Sequence, residues 1–118
     1  MAEIAYTRSD MRVPLPADRT VSIYTWTGLV NGDTGQPVEA PEAADRSVEF
    51  GGTFDTSTIV LEGKIGEAYS TLTDPQGNAI SKTAASLEQV EEVARYMRPR
   101  VTAGGASTSL NVYLLVRR

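Results

Sequence analysis

The chain has 118 residues, a formal net charge of −4, and neither cysteine nor histidine. A chain of this length builds one domain around one core, and its 41% hydrophobic and 22% charged residues are typical of a globular protein. Without cysteine there are no disulfides and no thiolate chemistry. Without histidine the commonest general base and metal ligand is missing. We therefore expect a non-enzymatic protein without catalytic residues, metal site or cofactor.

The charge distribution and the hydropathy of the chain also exclude classes of partner. The eleven basic residues do not form one block, as a nucleic-acid binder would require, so we expect no nucleic-acid partner. No apolar run approaches the roughly 20 residues that span a bilayer, and the N-terminus lacks a signal pattern. We expect a soluble chain with no membrane contact.

The first 17 residues predict an extended N-terminal arm. They contain Pro14 and Pro16 and show no sustained hydrophobic period. Because such a segment cannot bury itself, we expect it to lie on a neighbouring subunit, with Tyr6, Arg8 and Arg12 as anchors. The predicted organisation is therefore an arm at 1–17 and one domain at 18–118.

The first half of the domain predicts two strands. Residues 20–26 alternate and are rich in β-formers, and 31–35 are dense in turn residues, followed by a loop to residue 44. In 46–50, Val48 and Phe50 lie on one face, before Gly51 and Gly52 interrupt the pattern.

Three further strand segments follow the two glycines. Residues 57–62 direct Ile59 and Leu61 inward, and 69–73 return beside them. Residues 74–77 (DPQG) fit a type I turn, after which 79–82 reverse again.

Residues 86–97 are ambiguous. Apolar residues recur at helical spacing, and Ser86 with Gln89 resembles a capping box, which favours a short helical turn. Pro99 ends any helix, so 96–101 predict a strand near a sheet edge. The helical stripe comprises Leu87, Val90, Val93, Ala94 and Met97.

The last segment has the clearest strand pattern of the chain. Its even-numbered apolar residues alternate with a second set that includes Tyr113 and Leu115. Because strand side chains alternate strictly, we expect the first set in the core and Tyr113 and Leu115 on a contact surface for another chain. The inward set is Leu110, Val112, Leu114 and Val116.

These elements predict an all-β protein, an antiparallel β-sandwich of jelly-roll or immunoglobulin-like kind, with at most one short helix. The periodicity does not choose between the two topologies.

Three other kinds of site are less favoured by the sequence than ordinary surface and core positions. A calcium site among Asn31, Asp33, Glu39, Glu42 and Asp45 lacks the required loop spacing, so a polar turn is favoured. Glycosidase pairs, either Asp55 with Glu62 or Asp74 with Glu67, have no separation fixed by sequence. A sugar-stacking platform of Tyr24, Trp26 and Tyr69 is less favoured than core packing.

Five segments combine strand and turn residues in a distinctive way: 29–38 (LVNGDTGQPV), 44–54 (ADRSVEFGGTF), 59–63 (IVLEG), 69–78 (YSTLTDPQGN) and 94–101 (ARYMRPRV). Together they resemble small structural proteins of tailed-phage virions. The resemblance covers about residues 20–118. One loop departs from it: an Asn-Asp-Gly loop followed by Trp is expected after Gly63, and this chain has 64–68 (KIGEA) followed by Tyr69 instead. Any role of that loop in relatives is therefore not carried over.

The resemblance implies a β-sandwich that decorates a capsid as a cement protein. The partners implied are the major capsid protein and further copies of the chain, and the location implied is the capsid surface, after synthesis in the bacterial host cytoplasm. Two alternatives remain: a carbohydrate- or receptor-binding sandwich of a tail or fibre, and a head-tail component. An exposed Trp26 would favour the carbohydrate-binding alternative.

Overall fold

The computed structural model describes residues 2–12 and 20–118, and within them the chain is all-β, with twelve strands and no helix. The strands, in chain order, are β1 (Glu3–Ile4), β2 (Thr7–Arg12), β3 (Thr20–Leu29), β4 (Thr34–Gly35), β5 (Val38–Glu39), β6 (Asp45–Thr53), β7 (Thr58–Lys64), β8 (Ser70–Thr71), β9 (Ser81–Lys82), β10 (Ser86–Gln89), β11 (Tyr96–Ala103) and β12 (Ser109–Arg117).

Two sheets pack together as a β-sandwich, as the sequence predicts. The five-stranded sheet has the order β10-β6-β12-β3-β2. The seven-stranded sheet has the order β1-β4-β11-β7-β8, with β5 also paired to β11 and β9 to β7. All pairs are antiparallel except β1 with β4.

The core lies between the sheets and follows the alternation of the long strands. On β12 the predicted inward set is fully buried, whereas Tyr113 and Leu115 are exposed, which confirms the alternation. The turn at 74–77 is also confirmed, because the Gly77 N–H donates to the Asp74 carbonyl at 2.9 Å. The largest fully buried side chains are Trp26, Phe50, Leu29, Ile59, Leu61, Ile80, Met97, Leu110 and Leu114.

The predicted break at Gly51 and Gly52 is wrong, because β6 continues through both residues to Thr53. Gly52 has a φ of +103°, and a Cβ there would lie 2.4 Å from the Ser109 carbonyl oxygen of β12. The glycine therefore lets the two backbones approach closely without ending the strand.

Pro99 lies within β11, between β7 on one side and β4 and β5 on the other, so the predicted position near a sheet edge is wrong. The backbone N–H and C=O of Val101 both form hydrogen bonds on the side of β11 that faces β4. Because successive residues of a strand direct these groups to alternate sides, the nitrogen of Pro99, two residues earlier, points to the same side. There it faces the gap between β4, which ends at Gly35, and β5, which begins at Val38. Because no strand lies opposite this nitrogen, the N–H that Pro99 lacks removes no hydrogen bond between strands.

The predicted helical turn in 86–97 is wrong, because β10 pairs with the edge of β6 instead. The supposed helical stripe is split: Val90 and Ala94 are buried, whereas Leu87 and Val93 are 67% and 54% exposed. The buried guanidinium of Arg46 donates to the carbonyls of Val90 and Glu91 at 3.4 Å each. These bonds hold the chain in an extended path that local spacing does not reveal.

The N-terminal segment is also corrected: its described part lies on the chain's own sheets rather than needing a neighbouring subunit. β2 pairs with β3 over six residues, and β1 pairs with β4. Tyr6 packs edge-on against Tyr24 and Trp26, with ring centroids 5.0 and 6.0 Å apart. Edge strands carry charged residues that discourage further pairing, which explains why this strand lacks a hydrophobic period. Met1 and positions 13–17 of the predicted arm fall outside the described residues.

Replacing Leu114 with Ala is expected to lower the free energy of unfolding by about 2–5 kcal/mol, because it opens a cavity in the core. Replacing Leu115 with Ser is expected to change it by less than about 1 kcal/mol, since the side chain faces outward. Urea denaturation of the two variants compares these losses directly. Equal losses would contradict the assignment of the two faces.

Acidification is expected to remove a small stabilising contribution of Glu92. Partial burial raises the pKa of this carboxyl, but hydrogen bonds from the Thr73 N–H (2.8 Å) and hydroxyl (2.7 Å) outweigh burial and hold the pKa below its ordinary value. The contribution is therefore complete above the ordinary pKa and is lost as the pH falls through the lowered one. Because Glu92 is exposed, about 1 kcal/mol is the upper limit.

Urea denaturation across a pH series measures this contribution. The variant Glu92→Gln should show a shallower loss of stability on acidification than the parent chain. The control is Glu67→Gln, which changes an exposed carboxylate without an ion pair among the described residues. Parallel curves for the parent and Glu92→Gln would contradict the assignment.

A candidate interaction face on the five-stranded sheet

The outer face of the five-stranded sheet carries a set of neighbouring apolar side chains, interrupted by one carboxylate. Opposed residues of antiparallel strands point to the same face, so the register shows which side chains are neighbours. Leu115 lies opposite Ile23, and Tyr113 and Leu87 both lie opposite Glu49. We call this set the apolar stripe; its members are Met11, Val21, Ile23, Leu87, Tyr113 and Leu115.

Much of the stripe is open to solvent. Leu87 is 67%, Met11 52%, Tyr113 38% and Leu115 36% exposed. The central part forms a shallow concavity of about 390 Å³, lined by Ile23, Ser47, Glu49, Leu87, Tyr113 and Leu115. Contiguous exposed apolar surface of this kind typically marks an interaction site. Its openness suits a protruding group of another macromolecule better than an enclosed small ligand.

Charged groups on this face are few. Arg117 and Asp45, opposite each other at one end, form an ion pair. Glu49 lies between Leu87 and Tyr113 and forms no ion pair with any described residue. The face is thus apolar at its centre, with charge at one end and one carboxylate inside it.

Of the predicted contact residues, the structure places only Tyr113 and Leu115 in the stripe. Tyr6 is half-buried under the sandwich edge. Arg8 lies on β2 and pairs with Asp10 at 2.8 Å, and Arg12 ends the same strand. Hydrogen bonds from Ser22 and Arg8 hold the pKa of Asp10 below its usual range, and the bond to Asp10 raises that of Arg8.

The sequence interpretation missed the other members of the stripe. Val21 and Ile23 belong to a correctly predicted strand, but the pattern did not show which of its two faces is outward. Leu87 was assigned to a helical stripe, so its place beside β6 was hidden. The alternation within β3, with the aromatic Tyr24 and Trp26 on one face, was the available signal.

The aromatic residues considered for sugar stacking do not form one platform. Tyr24 and Trp26 are 3% and 0% exposed, and the Trp26 indole N–H donates to the Gln36 carbonyl at 3.1 Å. Tyr69 lies beside the seven-stranded sheet, where the Arg98 guanidinium lies 3.8 Å from the centre of its ring. The burial of Trp26 is the observation that disfavours the carbohydrate-binding alternative.

The carboxylates considered for calcium are engaged in local structure. Asp33 accepts hydrogen bonds from the Ala2 and Val30 N–H groups, both at 3.0 Å. Glu39 pairs with Arg95, whose hydrogen bond lowers the pKa of Glu39. Glu42 and Asp45 pair with Arg118 and Arg117. Across 2–12 and 20–118, no group of three or more potential metal ligands is positioned to hold an ion.

The acids considered as glycosidase pairs are likewise engaged, with one exception. Asp55 accepts the Ser107 N–H, and Asp74 accepts those of Gln76 and Asn78. Glu62 accepts hydrogen bonds from Arg98 and Arg100. Glu67 is exposed in the loop after β7.

Comparison with known proteins supplies no relative. No family model, curated protein or solved structure matches the chain. In the described part of the chain, no helix is long and apolar enough to cross a membrane.

The stripe is expected to bind a hydrophobic dye such as anilinonaphthalene sulfonate in the folded state. Tyr113→Ser and Leu115→Ser should each lower the dye fluorescence because they remove apolar surface from the concavity. Val30→Ser is the control, since Val30 is also exposed (46%) but lies outside the stripe. Equal fluorescence losses in all three variants would show that the dye does not report on this face.

Proposed function

We propose that this protein is a structural virion protein that binds the outside of a tailed-phage capsid as a decoration (cement) protein. The observation that supports the proposal best is the apolar stripe, an exposed surface built on the rigid strands of a sandwich. The resemblance of residues 20–118 to small virion proteins supplies the partner, the major capsid protein, together with further copies of the chain.

The physical demands of that role match the arrangement of the molecule. A cement protein needs a stable scaffold and a contact face, and it needs no chemistry. The members of the apolar stripe lie on β2, β3, β10 and β12, all of which also supply core residues or pair with strands that do. Because a capsid lattice repeats its sites, many weak contacts add up to durable attachment of the shell.

We also propose that the protein has no catalytic activity. The chain lacks histidine and cysteine. Most of the acidic residues considered as glycosidase pairs form hydrogen bonds that stabilise the fold. Glu62 is held by two arginines, and Asp74 closes a turn. A carboxylate committed in this way is not available as a general base or nucleophile.

The function is tested by sedimenting the purified protein with heads and, separately, with tails of the particle, both prepared without this protein. The parent chain is expected to sediment with heads. Leu115→Ser should weaken that binding by about tenfold, because an apolar anchor at the centre of a contact contributes more than 1 kcal/mol. Val30→Ser, which alters an exposed residue outside the stripe, should bind as the parent does.

Two outcomes count against the proposal. Sedimentation with tails alone would assign the protein to the tail, and binding to neither would reject the virion role. If heads bind Leu115→Ser as well as the parent, the capsid contact lies on another surface.

A further inference from the structure

A second surface of different chemistry lies on the opposite side of the sandwich, on the outer face of the seven-stranded sheet. There β7 and β11 place Arg98 opposite Glu62, Arg100 opposite Val60, and Lys64 opposite Tyr96. We call Lys64, Arg98 and Arg100 the cationic cluster. Three cations are thus concentrated on two neighbouring strands of a chain whose net charge is −4.

One nearly buried carboxylate orients the two arginines. The Nε of Arg98 donates to Glu62 Oε1 at 2.7 Å, and the Nε of Arg100 donates to Oε2 at 3.0 Å. The side chain of Glu62 is only 4% exposed. Both arginines use Nε alone, so the terminal NH₂ groups of both guanidinium groups donate to no acceptor among the described residues. These groups form the fork that binds a carboxylate through two bonds.

Aromatic rings hold the remaining parts of the cluster. The Arg98 guanidinium lies 3.8 Å from the centre of the Tyr69 ring. The Lys64 ammonium lies 4.9 Å from the same ring and 5.7 Å from that of Tyr96, and it forms no ion pair within the described residues. Such stacking restricts the motion of long side chains and so lowers the entropy lost when a ligand binds.

Acidic residues bound the cluster on several sides. On β5, Glu39 lies opposite Tyr96. Thr34 lies opposite Arg100, and Glu3 lies opposite Thr34 on its other side. Glu67 lies in the loop after β7. A long polyanion such as nucleic acid would have to cross these acids, and each crossing is repulsive. A short ligand with two carboxylates has only to span Arg98 and Arg100.

We infer that the cationic cluster is a binding site for an extended acidic peptide segment of a partner protein, with carboxylates at alternate positions. The Cα atoms of Arg98 and Arg100, two residues apart on one strand, are separated by about 7 Å, the spacing of alternate residues in an extended peptide. This chain has no two acids separated by a single residue, so a second copy does not supply the segment. The site is independent of the apolar stripe and of the capsid contact.

The inference is tested by NMR titration of the full ¹⁵N-labelled chain with two peptides, acetyl-Thr-Glu-Thr-Glu-Thr-amide and its Gln counterpart. The Glu peptide is expected to shift the backbone amides of the cluster and the side-chain Nε–H signals of Arg98 and Arg100. The Gln peptide should not. Added salt should weaken the binding, because the contacts are between charges.

Variants and other anions complete the design. Arg100→Gln and Lys64→Gln should each lower the affinity for the Glu peptide by about tenfold, the effect of one lost charge-assisted contact. Arg117→Gln, on the opposite sheet, should not, and unchanged spectral dispersion shows that each variant is folded. Equal shifts from both peptides, an absence of shifts at the cluster, or tighter binding of a single-stranded oligonucleotide or heparin oligosaccharide would each overturn the inference.

Discussion

The burial of Trp26 between the two sheets is the interaction on which the rest of the structure depends. Its indole comes from the five-stranded sheet, and its N–H bonds to the Gln36 carbonyl on the other side of the core. Gly35 makes room for it, since a Cβ there would lie 2.6 Å from the indole nitrogen and 2.5 Å from Pro99. Trp26, the largest core side chain, therefore fits only because Gly35, at the end of β4, lies directly across the core from it.

Several polar groups inside the sandwich form hydrogen bonds with connecting segments, which fixes the paths of those segments. The buried Arg46 donates to the Ala43 and Val90 carbonyls, although desolvation by burial lowers its pKa. Asp33 accepts N–H groups from both the N-terminal segment and the turn after β3. Because a buried polar group without a partner is costly, these bonds specify where loops of no regular pattern must lie.

The two outer faces differ in chemistry, and the fold accounts for the difference. Both sheets use one set of alternate residues for the core, which leaves much of the other set free to carry a surface property. On the five-stranded sheet that set includes Ile23, Tyr113 and Leu115, and on the seven-stranded sheet it includes Lys64, Arg98 and Arg100. One domain thus presents an apolar and a cationic surface on opposite sides, a geometry suited to bridging two different partners.

The sequence by itself determined the all-β class, the turn at 74–77, and the alternation of Leu114 against Leu115, because these depend on period and local turn chemistry. Only the tertiary structure decided the rest. Residues 86–97 carry helical spacing, yet Leu87 pairs beside β6. The N-terminal segment has no period, yet it completes both sheets. The apolar stripe and the cationic cluster join residues that are distant in the chain, and strand register, which depends on packing between strands, brings them together.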